Sequence, residues 1–285
     1  MSKFLDPTTD LCFKRLFGSD AHKNITINFL NNVLDRKDGY LITHIDFLNT
    51  YNQPNNKEDR LSIVDLRCVD QAKKTYIVEM QVEPQKDFGQ RGQYYAARVL
   101  ANQLNSRDAY DKLTPIIFLG VLDFVLFERH NRYVSHHRFA DQVDGQQDLD
   151  LMELHFIELR KFTKSESQLD CDADRWIFFL RHASDYMDLP KKVACNNEAL
   201  ADAFNVVSKT NWSKAELEHY ELLIDRERCE KSKIDTAHES GLEKGKAEGL
   251  QEGKRLIARQ MLAKKIDTQI IADVTGLSIT DIKKL

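Results

Sequence analysis

Residues 61–82 decide the fold, and they read LSIVDLRCVDQAKKTYIVEMQV. Two runs rich in β-branched and apolar residues flank a polar centre, and this pattern predicts a β-hairpin. If the turn is centred on Ala72, residues whose numbers sum to 144 lie opposite one another. Asp65 then faces Glu79 on the neighbouring strand.

The two faces of this hairpin differ in chemistry, because side chains alternate along a strand. One face is apolar and carries Val64, Leu66, Cys68, Val78, Met80 and Val82. The other face is polar and carries Asp65, Arg67, Glu79 and Gln81. A shift of one residue would mix carboxylates into the apolar face, so the alternation favours this register.

Two directly opposed carboxylates, Asp65 and Glu79, repel each other, and a divalent cation bound by both removes that cost. Mg²⁺ suits such a pair, since it binds one or two protein carboxylates and keeps several waters. An ion held in this way activates a bound water and stabilises charge during phosphoryl transfer. The simpler alternative is a solvated pair on an exposed sheet face, with Arg67 as a salt-bridge partner.

The elements on either side of the hairpin predict an α/β fold with a helical extension. Segments with strand-like composition lie at 41–50, 61–69, 75–82, 116–127 and 154–159. Segments with helical spacing of apolar residues lie at 10–17, 23–36, 92–107, 172–187, 191–207 and 213–239. The order of the first part is therefore helix, three strands, helix, strand.

The tail at 241–285 differs from the rest of the chain in the sign of its net charge. It has nine Lys or Arg against six Asp or Glu, whereas residues 1–240 hold 32 against 39. Glycine recurs every fourth residue from Gly241 to Gly253. Each glycine costs a helix roughly 1 kcal/mol relative to alanine. The stripe is therefore either a seam that packs closely against a partner helix or part of a flexible charged linker. The intervening charges exclude a pair of membrane-spanning helices.

The segment 270–278, IIADVTGLS, predicts a helix, a glycine turn and a second helix. Ser278 is expected to be the N-cap of that second helix, with Asp281 three residues later. The pattern is compatible with a small helix-turn-helix.

Composition excludes several classes of protein. The chain has 285 residues and a net charge of −4, so it is not a globally basic nucleic-acid coat. Its five cysteines are scattered without a CxxC pair, which indicates neither a disulfide framework nor a zinc knuckle. His130, His136 and His137 are interpreted as loop or strand-edge residues rather than metal ligands. With no signal-peptide core and no long apolar run, we expect a cytoplasmic protein without a membrane partner.

Several motifs together identify a family. They are, in chain order, DLCFKRLFG at 10–18, IVDLR at 63–67, VEMQ at 78–81, Arg91 with Tyr94 and Tyr95, ELRKF at 158–162 and the Gly-x-x-x-Gly tail. This ordered set resembles the bacterial recombination-promoting nuclease and putative transposase family of the PD-(D/E)XK nuclease superfamily. The resemblance covers most of residues 4–165 and, more loosely, the tail.

This resemblance implies a restriction-endonuclease-like α/β core, with a helix, a three-stranded meander, a helix and a strand, followed by a helical C-terminal extension. We expect a nuclease core at 1–165, a helical extension at 166–240 and a glycine-striped tail at 241–285. The implied activity is that of a Mg²⁺-dependent DNA endonuclease, with Mn²⁺ as a substitute, linked to recombination or mobile elements.

The resemblance also implies roles for the residues of the hairpin. Asp65 and Glu79 would bind the metal ion, with the carbonyl of Met80 as a further protein ligand, and Glu79 would also orient the attacking water. Gln81 stands where the superfamily name has lysine. An amide can position a water or contact a phosphate, but it supplies no positive charge to the transition state.

The first and third helices offer further candidates. Lys14 would supply the missing charge if its helix packs by the site, although it could instead form an i, i+4 pair with Asp10, worth about 0.2–0.5 kcal/mol. Asp10 is either an additional acidic ligand or a helix-start residue. Arg91 and Tyr95 share a helix face and are expected to contact the DNA backbone, with core packing as the alternative for the tyrosine.

A different class of function is also compatible with the sequence. A catalytically inactive DNA-binding or assembly protein could retain the nuclease scaffold, and Gln81 and the acidic charge of residues 1–240 favour it. RNA is a further possible substrate. We expect a homo-oligomer formed through the C-terminal helices. An enzyme with one active site per chain cuts both strands of a duplex only if two chains act together or if one chain binds twice.

Overall fold

The computed structural model describes residues 2–37, 39–52 and 62–285. The chain divides into two compact units, with the boundary between Ser213 and Lys214. The predicted organisation into segments 1–165, 166–240 and 241–285 stays a prediction.

A six-stranded mixed sheet lies at the centre of the first unit. The described strands are Ile45–Phe47 (β1), Tyr51–Asn52 (β2), Ser62–Ile63 (β3), Leu66–Asp70 (β4), Thr75–Gln81 (β5), Ile116–Leu122 (β6), Val134–Arg138 (β7) and Met152–Glu158 (β8). The sheet has the order β1-β4-β5-β6-β8-β7, and β2 pairs with β3 in a separate two-stranded ladder. Strands β1, β4 and β5 form an antiparallel meander, while β5, β6 and β8 are parallel.

The central hairpin has the register that the sequence predicts. Leu66 lies opposite Val78 and Cys68 lies opposite Tyr76, so the paired residue numbers sum to 144. Asp70 stabilises the turn, because its Oδ1 accepts hydrogen bonds from the amides of Ala72 and Lys74 at 2.8 and 2.9 Å. The predicted turn at Ala72 is confirmed.

The helices of the first unit are Asp10–Phe17 (α1), Lys23–Val33 (α2), Phe88–Ala101 (α3), Asp172–His182 (α4) and Glu198–Val207 (α5). Helix α3 packs on the sheet face that carries Ile77 and Phe118. Two glycines permit this close approach. A Cβ on Gly92 would lie 2.8 Å from the Phe118 ring, and one on Gly120 would lie 2.8 Å from Phe88.

The other helices of this unit pack around an aromatic core. Helix α2 contacts α1, α4 and α5. The ring centroids of Phe17 and Phe29 lie 4.6 Å apart, and the Phe29 ring meets Trp176 edge-on at 5.6 Å. Edge-on and tilted ring pairs of this kind add stability beyond their buried area.

Several predicted boundaries differ from the structure. Helix α2 ends at Val33 rather than 36, α3 spans 88–101 rather than 92–107, and β6 ends at 122 rather than 127. The predicted helix at 191–207 begins only at Glu198, since Asn197 accepts a hydrogen bond from the amide of Leu200 and caps it. Strand β7 was not predicted, although His136 and His137 do lie on this edge strand, as the strand-edge interpretation requires. Position 61, predicted as a strand residue, lies outside the described residues.

The second unit consists of Lys214–Ala263 (α6), Thr268–Thr275 (α7) and Ile279–Ile282 (α8), and Ala258, Ile271 and Ile282 form its small core. Gly276 ends α7 with a φ of 67°, a left-handed conformation that glycine adopts without strain. Ser278 Oγ accepts a hydrogen bond from the Asp281 amide at 3.1 Å, which confirms the predicted N-cap.

The four glycines of the tail lie within α6, so the prediction of a flexible linker is wrong and the helical conformation is confirmed. The close packing of this stripe against a partner helix stays a prediction. Apart from the chain neighbours and the adjacent backbone of α6 itself, a Cβ at any of these glycines would meet no described atom within 4 Å. No described segment of this chain therefore fills the predicted seam. In the described part of the chain, none of the helices has both the length and the apolar character needed to cross a membrane.

Candidate active site

Asp65 and Glu79 come together at one end of the central hairpin. Asp65 lies at the bend before β4, and its Oδ2 accepts a hydrogen bond of 2.8 Å from the amide of Met80. Glu79 lies near the end of β5 and is only 6% exposed. The two carboxyl groups are close enough to share a proton in a hydrogen bond. The prediction of a solvated pair on an exposed face is therefore wrong, because Glu79 is buried.

The covering helix explains this burial. In the sheet Glu79 pairs with Gly120 and Gln81 pairs with Leu122, which places both polar residues on the face that α3 covers. Helix α3 follows β5 after a short connection, so its first turns pass over the end of that strand. A residue that looks solvent-facing in the hairpin is thus enclosed by the next element of the chain.

The pKa values of both carboxyl groups are raised. Burial, together with the nearby charge of Asp65, raises the pKa of Glu79 to about 8, against the opposing effects of Arg91 and Lys14. Burial also raises the pKa of Asp65, although the Met80 amide opposes this. At neutral pH Glu79 therefore holds a proton in the metal-free protein.

One atom of this pair fits a metal ion. Glu79 Oε1 is buried and has no hydrogen-bond partner among the described residues. A buried acceptor without a donor is costly, and a hard divalent cation satisfies it. The described residues contain no group of three or more His, Cys, Asp or Glu side chains that could hold a metal. The protein would therefore offer two carboxylates, and backbone oxygen, water or substrate would complete the coordination.

Gln81 and Arg91 form a connected pair beside the carboxylates. Gln81 Oε1 accepts a hydrogen bond of 2.8 Å from Arg91 Nη2, and Arg91 Nη1 donates to Gln85. The guanidinium group lies 4.8 Å from the centre of the Phe88 ring. Gln81, which stands where the superfamily name has lysine, therefore holds the positively charged guanidinium group of Arg91 near Glu79.

Helix α1 contributes Lys14 and Asp10 at the edge of the site. Lys14 Nζ pairs with Asp10 at 2.6 Å, and both side chains are about half exposed. Burial lowers the pKa of Lys14, but Asp10 and the charges of Asp65 and Glu79 outweigh this and raise it. The i, i+4 ion pair between Asp10 and Lys14 is thus present. The charge of the Lys14 ammonium group also lowers the pKa of Asp65 and of Glu79. Asp10 does not join the two carboxylates in a three-ligand group.

The tyrosines of α3 take different positions. Tyr95 is half-buried, packs against the core beside α3 and lies 5.9 Å from the Arg91 guanidinium, while Tyr94 is 48% exposed. The alternative of core packing therefore accounts for the buried part of the Tyr95 side chain. No motif in the sequence signals the hydrogen bond between Arg91 and Gln81, because this contact depends on the connection between β5 and α3.

Comparison with models of protein families gives two matches. Residues 7–237 match the model described as PD-(D/E)XK nuclease family transposase. Residues 251–285 match the model described as Rpn/YhgA-like nuclease family, C-terminal HTH domain. No curated protein and no solved structure matches the chain. The first match includes both carboxylates and α3, and the second includes α7 and α8.

Proposed function

Since this chain belongs to the PD-(D/E)XK nuclease family transposases, we propose that it is a metal-dependent DNA endonuclease that hydrolyses phosphodiester bonds. The observation that carries this proposal is the buried oxygen of Glu79, which has no hydrogen-bond partner among the described residues and lies beside Asp65. The C-terminal helix-turn-helix match supports a DNA substrate.

Asp65 and Glu79 would hold Mg²⁺ together with the carbonyl of Met80, and Mn²⁺ would substitute. When bound, the ion supplies charge stabilisation to the phosphoryl group and lowers the pKa of a coordinated water. Both carboxyl groups must be ionised to coordinate, so the proton on Glu79 leaves as the site is loaded. Glu79 then orients the attacking water.

Gln81 and Arg91 act as one unit in this proposal. Gln81 holds the guanidinium group, and Arg91 stabilises the negative charge that develops on the phosphate, a role that an amide alone cannot fill. Lys14, Arg91 and Tyr95 contact the DNA backbone. We assign Asp10 to the edge of the site, where its pairing with Lys14 keeps that ammonium group beside the carboxylates.

The test is cleavage of a DNA duplex in Mg²⁺ and in Mn²⁺ by the wild type and by Asp65→Ala. We expect the substitution to abolish metal-dependent cleavage and to leave the circular dichroism spectrum unchanged. Asp148→Ala, at an exposed position, is the matched control and should cleave like the wild type. Equal nicking by the wild type and by Asp65→Ala would overturn the proposal.

A catalytically inactive DNA-binding or assembly protein is the second candidate. The engagement of the Gln81 oxygen by Arg91 favours it, because Gln81 is then less free to position a water. Titration with Mn²⁺ and a short duplex separates the two candidates, since binding without any cleavage supports the second. The same assay with an RNA duplex tests the remaining substrate class.

The wider role follows from the family and the tail. We propose action in recombination or on mobile elements in the cytoplasm, by a homo-oligomer formed through the C-terminal helices. The open glycine stripe of α6 supports this assembly, because glycine permits two helices to approach closely. Analytical ultracentrifugation of the full chain tests it, and a monomer at micromolar concentration would contradict it.

A further inference from the structure

We propose that a pocket beside the first turns of α3 binds one unstacked nucleobase of the DNA strand, and this inference rests on the nuclease function proposed above. The pocket has a volume of about 270 Å³ and lies between α3 and strands β7 and β8. Its walls include Gly89 and Gln93 from α3 and Phe156 from β8. None of these residues belongs to the carboxylate site.

Rings form much of the pocket wall. The Phe127 ring lies 5.3 Å from the ring of Phe156 and 5.1 Å from that of His137. Phe139 lines the pocket as well and is 54% exposed. A planar heteroaromatic ring fits such a surface, because stacking on aromatic side chains is available to every base.

The cationic residues of the pocket distinguish a nucleotide from an apolar protein side chain. Arg129 and Arg138 both line the pocket. Arg138 pairs with Glu153 at 3.4 Å, and the charges of Arg129 and Arg132 both act on His137. The nucleotide that carries the base has a phosphate on each side of its sugar, so it would use the arginines as well as the rings. An apolar side chain of a partner protein would use only the rings.

The pocket lies within reach of a strand that occupies the carboxylate site. Gly89 and Arg91 are two residues apart in α3, which places them about 200° apart around the helix. Arg91 therefore points to Gln81 while Gly89 lines the pocket. A helix is about 10–12 Å across, which is at most about three nucleotide steps, since a step is about 3.4 Å in a stacked duplex strand and longer where the bases are unstacked. The bound base would thus lie a few nucleotides from the scissile phosphate.

Gly89 offers a way to fill the pocket without disturbing the fold. Apart from the chain neighbours and the adjacent backbone of α3 itself, a Cβ at this position would meet no described atom within 4 Å. Leucine is also a better helix former than glycine. Gly89→Leu should therefore fold and occupy the space of the base. Ala97→Leu, at an exposed position of the same helix, is the matched control.

The experiment measures binding of single-stranded 12-mers by fluorescence anisotropy in EDTA, so that no cleavage occurs. An abasic site is placed at each position in turn. For the wild type and for Ala97→Leu we expect one position at which the abasic site weakens binding by about 5- to 150-fold. For Gly89→Leu we expect no such position. A uniform profile for the wild type, a retained position in Gly89→Leu, or no binding at all would overturn the inference.

Cleavage of the unmodified strand in Mn²⁺ is measured separately. A wild type that shows the position-specific loss but cleaves nothing would support the base pocket and refute the nuclease proposal. A wild type that cleaves but has a uniform abasic profile would refute the pocket alone.

Discussion

Glu79→Gln should stabilise the metal-free protein, and the gain should depend on pH. Burial raises the pKa of Glu79 in the folded protein to about 8, against an ordinary value of 4.5. Between these values the folded state binds more protons than the unfolded state, so the stability of the wild type falls as pH rises. Glutamine has the same shape but does not ionise, so it removes this loss.

The interval from 4.5 to about 8 sets the size of the effect. Each pH unit corresponds to about 1.4 kcal/mol, so the ceiling is about 5 kcal/mol above pH 8. Well below pH 4.5 the group at this position is neutral in the folded and unfolded states of both proteins, and the difference should vanish. The gain at high pH is large when compared with the roughly 5–15 kcal/mol that stabilises a typical domain.

Urea unfolding in EDTA at pH 5, 7 and 9 measures this difference. Trp176 and Trp212 are the two tryptophans of the chain and both are buried in the first unit, so their fluorescence reports its unfolding. Glu128→Gln, at an exposed position, is the matched control and should show no such trend. A gain for Glu79→Gln that is the same at pH 5 and pH 9 would refute the argument.

Three further substitutions test other parts of the structure. Arg91→Ala should lower the cleavage rate about 10²- to 10³-fold with little loss of folding, because it removes one group that stabilises the charge of the transition state. An unchanged single-turnover rate would contradict this role of Arg91. Gly120→Ala should destabilise the first unit by about 1–3 kcal/mol, since its Cβ would lie 2.8 Å from Phe88, and thermal unfolding measures this. Burial lowers the pKa of His136 to about 4, so the unfolded state binds more protons between that value and 6.5 and stability falls as pH drops through this window. His136→Gln should flatten that part of the stability curve, and an unaltered slope would show that other groups cause it.

The sequence alone determined the hairpin and much of the helical pattern. The register about Ala72 follows from the alternation of apolar and polar residues over 64–69 and 75–82, because a slip by one residue would place carboxylates in the apolar layer. Helix α1 and the N-cap at Ser278 follow from equally local signals. In each case the information lies within a few neighbouring residues.

The tertiary structure alone decided the chemistry of the site. The sequence places Asp65 opposite Glu79, but it does not reveal that α3 covers this face and buries Glu79. Nor does it reveal that Gln81 holds Arg91, ten positions away in the chain. Burial and charge depend on which elements pack over a strand, and that depends on the connection between β5 and α3 rather than on the periodicity of either. The raised pKa of Glu79 and the positive charge beside it are therefore properties of the folded chain.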